Sequence, residues 1–128
     1  MDSVPYEYAP GNYAIVHETA DNAEILHVFG DLDLVSSPDF EAKMVSNVRI
    51  GRLLVVNLLE CKYIDSSALG ALIRARRVVG PRLRVVIGQG GNVDRVFRKT
   101  AMEKFFPIHF RLEYALADSV DSGVAAAS

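Results

Sequence analysis

The chain has 128 residues, half of them apolar and 23% charged, with a net charge of −2. That length suits one domain whose core can fold without staples or metals, and the composition excludes wholesale disorder. The near-neutral balance excludes the strong basic excess of a general nucleic-acid binder.

Tyr13 to Val16 and Glu24 to Phe29 are rich in β-branched and aromatic residues and flank the turn-forming pair Asp21-Asn22, which predicts two adjacent strands. After Gly30 and the run Asp31-Leu32-Asp33-Leu34, the triplet Ser37-Pro38-Asp39 supplies a capping hydroxyl, a first-turn proline and an acid that complements the helix dipole. A helix is expected from near Pro38, with Phe40, Met44 and Val48 as its apolar stripe. Leu53-Leu54-Val55-Val56 is apolar on both alternating faces, the pattern of a strand inside a mostly parallel sheet with both faces covered. Ser66 to Val79 reads as a helix with Leu69, Leu72, Ile73 and Val79 inward, ended by Gly80-Pro81. Leu83 to Ile87 follows as a short buried strand. The turn Gly88-Gln89-Gly90-Gly91-Asn92 then leads into a third helix bearing Val93, Val96 and Phe97, with Asn92 as its expected cap. Ile108 and Phe110 suit a short edge strand, and Leu112, Ala115 and Leu116 a last helix. This order predicts a single α/β domain over residues 13–117, built on a mixed, mostly parallel β-sheet packed with helices. Residues 1–12 form an N-terminal extension in this reading, and 118–128 a tail expected to fray.

The segment from Tyr63 to Leu72 carries the most chemistry. Asp65 and Ser66 are both good N-cap residues, and the plain reading is a cap alone. Helical spacing adds something: Ser67, Gly70, Ala71 and Arg74 stand at i, i+3, i+4 and i+7 and so share a face. Three of the four are small, which would let a partner's backbone approach the serine hydroxyl closely. A phosphate on Ser67 is expected beside free backbone N–H groups at the positive end of the helix dipole. Asp31 and Asp33, at alternate positions entering a loop, read as solvent-facing carboxylates near a partner surface rather than as a catalytic pair.

Two motifs, Phe29-Gly30-Asp31-Leu32-Asp33-Leu34 and Asp65-Ser66-Ser67-Ala68-Leu69-Gly70, resemble those of the STAS-domain anti-sigma factor antagonists of bacteria. The resemblance extends over residues 13–117 and implies a STAS-like fold. In that family the antagonist binds an anti-sigma factor that is also a serine kinase, which frees a sigma factor to join RNA polymerase. Phosphorylation of the second serine of the Asp-Ser-Ser segment releases it. That serine is Ser67 here, Asp65 matches the acid before it, and Ala68 stands where the family commonly has glycine. The implied contact surface is Asp31, Asp33, Asp65, Ser66, Ser67, Ala68, Gly70, Ala71 and Arg74. The implied partners are an anti-sigma factor of the serine-kinase type and a serine phosphatase, with neither nucleic acid nor membrane contacted, in the control of stress-response transcription. The alternative within the family is a scaffold subunit that assembles without being phosphorylated.

Other candidates compete with these. Gly88-Gln89-Gly90-Gly91 before a helix could cradle a phosphate in a small nucleotide-binding protein, although the dinucleotide and P-loop patterns are absent and an ordinary turn fits. Residues 1–60 carry a net −7 and residues 61–128 a net +5, a polarity able to orient a partner on encounter. Within the basic half, Arg74, Arg76, Arg77, Arg82 and Arg84 lack interleaved aromatics and read as a solvated helix flank. Cys61, the single cysteine, has no disulfide partner and no metal-ligand spacing with His17, His27 or His109, so it reads as a small core residue. No nucleophile elbow or Ser-His-Asp pattern is present, so neither enzyme activity nor a cofactor is expected. The chain also lacks a signal-peptide pattern and a bilayer-length apolar run, which fits the cytoplasm.

Overall fold

The computed structural model describes residues 12–117. The expected extension, apart from Asn12, and the expected tail lie outside the described residues. One sheet carries five strands in the spatial order β1-β2-β3-β4-β5. Strand β1 (Tyr13–Thr19) runs antiparallel to β2 (Ala23–Leu32). Parallel pairs then join β2, β3 (Leu53–Ile64), β4 (Leu83–Val86) and β5 (Ile108–His109). Helices α1 (Ser37–Ser46), α2 (Ser66–Val79), α3 (Asn92–Lys99) and α4 (Leu112–Ala117) complete a single α/β domain.

The parallel strands are apolar on both faces because both are covered. Leu26, Val28, Leu54, Val56 and Val85 form one cluster with Phe40 and Met44 of α1, Leu69 and Leu72 of α2, and Phe97 of α3. Ala23, Ile25, Leu53, Val55 and Val86 form a second with Ala115, flanked by Leu112 and Leu116 of α4. The period of four seen in α1 ends early: Phe40 and Met44 are buried, but Val48 lies beyond the helix and packs half-buried against the core.

Strand β3 is longer than its apolar run. It continues from Val56 to Ile64, and its pairing with β2 shifts register between His27 and Phe29 and again between Gly30 and Asp31. An extra residue at such a bulge breaks the alternation by which a strand is read. The β1–β2 hairpin is tied to the start of β3 through Glu24, which is 4% exposed. Burial alone would raise its carboxyl, but hydrogen bonds from Thr19, His17 and Arg52 prevail and bring it to about 2. At Gly30 the backbone is left-handed, and a Cβ would lie 1.6 Å from the Asn12 carbonyl oxygen, so glycine alone lets the chain enter β1 there.

Candidate functional site

The site begins where β3 runs into α2. Asp65, the last residue before the helix, is extended and caps it: Oδ1 accepts from the backbone N–H of Ser67 at 3.0 Å and of Ala68 at 3.3 Å. The same oxygen accepts the Ser67 hydroxyl at 2.5 Å. The amides expected to await a phosphate on Ser67 are therefore already taken by Asp65, and the carboxylate would repel a phosphate from that place.

On its other side Ser67 Oγ lies 3.0 Å from the hydroxyl of Ser37, in the first turn of α1. Ser37 in turn donates to the Asp33 carbonyl at 2.6 Å. The loop before α1 is thereby joined to the start of α2. Within that loop the Asp33 carboxylate accepts from the N–H groups of Val35 and Ser36 at 3.0 and 3.1 Å. Asp33 is thus an internal clamp, not the solvent-facing acid the sequence suggested, because a short carboxylate two residues before free amides closes an Asx turn. Asp31 is half-buried and lines a separate concavity of about 340 Å³ with Phe29, Glu60 and Lys62.

Helix α2 also turns differently from the expectation. Ala68 and Ala71 are fully buried, packed in the main core with Leu69, Leu72 and Ala75. Both are expected on the contact surface from the sequence; instead they are buried in the core, and the surface they would have formed is closed. The outward row is Ser66, Ser67, Gly70 and Arg74, which with Leu34, Ser37, Pro38 and Glu41 line a shallow groove of about 330 Å³ between the two helices. Across it, Arg74 grips Glu41 with Nε at 3.0 Å from both carboxylate oxygens and Nη2 at 2.8 Å from Oε1. The guanidinium holds the Glu41 carboxyl below its ordinary range. Leu34 and Val35, 76% and 63% exposed, stand beside the groove.

Sequence reading missed Leu34, Val35, Pro38, Glu41 and the contact of Ser37 with Ser67. Val35 could have been noticed, since this large apolar residue before Ser36 belongs neither to the alternation ending at Leu34 nor to the stripe of the helix that follows. Glu41 carries no local signal, because its role arises only where α1 and α2 meet.

The rival sites are less open. In the glycine loop, the N–H of Gly90 donates to the Asp94 carboxylate at 2.7 Å and that of Gly91 to the Gly88 carbonyl at 3.4 Å, so two amides a phosphate would need are engaged. Gly91, not Asn92, occupies the cap position of α3, and Asn92 is its first helical residue. The arginine flank divides: Arg77 is exposed, Arg76 donates to the Phe105 carbonyl at 2.8 Å, and Arg84 is 1% exposed within β4. Cys61 is buried, and burial pushes its thiol up to about 11, which keeps it protonated and unreactive at neutral pH. Among the described residues no cluster of His, Cys, Asp or Glu suits a metal ion, and no helix is long and apolar enough to cross a membrane.

A family model described as the STAS domain matches residues 14–117. Among solved structures, an anti-sigma factor antagonist from Mycobacterium paratuberculosis is 25% identical over 85% of this chain and 95% of its own, with a TM-score of 0.75. The anti-sigma factor antagonist SpoIIAA in its unphosphorylated form shares the fold at 18% identity, covering 82% of this chain and 96% of its own, with a TM-score of 0.59. The Bacillus cell fate determinant SpoIIAA in the phosphorylated form does so at 19% identity, over 81% and 97%, with a TM-score of 0.57. No curated protein sequence matches.

Proposed function

The chain belongs to the STAS domain family, and from that membership we propose that it acts as an anti-sigma factor antagonist, docking through the groove between α1 and α2 and released by phosphorylation of Ser67. The domain is a binding module, and its partner is an anti-sigma factor of the serine-kinase type. The observation that carries this reading is the Ser67 hydroxyl, half-buried on the lip of the groove with its proton directed at Asp65, 2.5 Å away. Such a hydroxyl suits phosphoryl transfer. As Oγ forms its bond to the γ-phosphorus of a nucleoside triphosphate and the bond to the diphosphate breaks, Asp65 is within reach to accept the proton. The exposed Leu34 and Val35 supply apolar contact beside it, and the absence of a side chain at Gly70 keeps the middle of the groove open.

Recovery of the chain with its partners from the native cells, followed by mass spectrometry of proteins and phosphosites, tests this reading. A kinase-like partner together with phosphate on Ser67 is expected. A partner that binds the unmodified and phosphorylated chains equally well would overturn the switch and favour a scaffold subunit. A serine phosphatase belongs to the same reading as the enzyme that resets Ser67.

A further inference from the structure

We propose that Arg74 is the built-in counter-cation for a phosphate on Ser67, held in reserve by Glu41 until the phosphate arrives. The inference rests on Ser67 as the modified residue. It goes further in assigning where the phosphate turns and what receives it.

Three features of the groove point the same way. First, Asp65 occupies the amides of Ser67 and Ala68, so a phosphate cannot use the start of the helix. Electrostatic repulsion from that carboxylate drives it outward into the groove. Second, Arg74 stands seven residues on, and a long helical side chain leans back toward the N-terminus. Its Nε and Nη2 hold Glu41, while Nη1 lies over Gly70, 3.2 Å from where a Cβ would be. Gly70 is one turn from Ser67, about 4.5 Å along the axis, so the Nη1 donors already face the space a phosphate would enter. Third, Gly70 makes this possible, because a methyl group there would press on the guanidinium.

The phosphate brings about −1.5 to −2 charge and three acceptor oxygens, against one charge on Glu41. Arg74 therefore shifts its fork toward Ser67 and loosens its hold on Glu41. Phosphorylation also breaks the hydroxyl contact with Ser37. Both polar links between α1 and α2 thus respond to one modification, and the groove is filled by an internal ion pair.

The test uses the full chain with phosphoserine installed at position 67 by genetic encoding, so that no kinase is needed, and follows the phosphate by phosphorus NMR through its second ionisation near pH 6. The parent is expected to ionise at a pH lower than the Arg74→Gln variant by about half a unit to one unit, as a neighbouring cation requires. Arg77→Gln, which changes an exposed arginine off the groove, should match the parent. Glu41→Gln, which frees Arg74, should lower the value further. Equal titrations in the parent and Arg74→Gln, or no response to Glu41→Gln, would overturn the assignment. Titrating the same phosphorylated chain against its anti-sigma partner separates the two readings. Retained binding alongside the Arg74-dependent shift would refute the release switch and leave the ion pair standing.

Discussion

Two helix starts in this domain face the same problem with opposite outcomes. Both α2 and α3 follow a parallel strand and present amide groups at the positive end of a helix dipole. At α2 the carboxylate stands in front of the helix: Asp65 is the cap, and in satisfying two amides it also holds the Ser67 hydroxyl at the edge of an open groove. At α3 the carboxylate stands inside the first turn. Asp94, 2% exposed, reaches back to the Gly90 amide and is gripped from the next turn by Arg98. The glycine-rich loop, the rival phosphate cradle in the sequence, is closed by that carboxylate. At both starts an acid takes up amides; the difference is that Asp65, standing in front of its helix, leaves a hydroxyl at the groove, whereas Asp94, inside its first turn, leaves none.

The comparison is broken most directly by adding charge at the open start. Phosphorylation of Ser67 is expected to lower affinity for the proposed anti-sigma partner thirtyfold or more, about 2 kcal/mol, as calorimetric titration would read. Melting should fall by only a few degrees, because the modification sacrifices hydroxyl contacts and no core packing. Ser67→Asp, with one charge on a shorter group, should reproduce only part of the loss. A collapsed melt would make unfolding, rather than a blocked groove, the cause of release.

At the closed start the effect falls on stability. Asp94→Ala removes bonds to Arg98 and Gly90 and should cost about 2 kcal/mol in urea unfolding, with the partner affinity unchanged. Asp94 also predicts a pH dependence. The Arg98 pair and the Gly90 N–H hold its carboxyl below the ordinary range despite burial. Its contribution is therefore complete above the unfolded value, near 3.9, and is lost as pH falls through the lower folded value. Unfolding midpoints from pH 6 down to pH 3 should fall less steeply in Asp94→Asn than in the parent; parallel slopes would contradict the assignment.

Asp65→Ala should cost less, about 1 kcal/mol for a lost cap, but should also weaken partner binding because the Ser67 hydroxyl loses its orientation. An affinity equal to the parent's would reduce Asp65 to a plain cap. The smallest effect is expected at Cys61. Its Sγ donates to the Tyr63 carbonyl at 3.2 Å, a contact serine can keep, and Cys61→Ser should leave both binding and any response to oxidant unchanged.

Much of the fold was legible because the strongest signals in the sequence are local. The two-faced apolar run at Leu53–Val56 marked a buried parallel strand, and Asp65 marked the start of α2. What failed did so for physical reasons. Alanine declares neither inside nor outside, so spacing puts Ala71 and the family motif puts Ala68 on the surface, whereas the fold buries both in the main core. The bulge in β3 hid its second half. Asn92 looked like a cap because its residue type is a good one, but Gly91 had already taken the extended conformation a cap needs. Ser67 and Arg74 line one groove, as their places on one helix suggest, whereas Glu41 and Ser37 belong to another element and join them only with the fold.

The seam between α1 and α2 has one further property. It is joined by hydroxyls at Ser37 and Ser67 and by an ion pair at Glu41 and Arg74, whose side chains are 30% and 56% exposed. Dissolved ions act on these links unequally. Between physiological and 1 M salt the screening length shrinks from about 8 Å to about 3 Å, which weakens the exposed ion pair and leaves the hydroxyl contact and the buried Phe40 and Met44 untouched. The end of the seam at Ser37 and Ser67 is therefore held by a hydroxyl contact and packing, while the end at Glu41 and Arg74 follows the ionic strength of its surroundings.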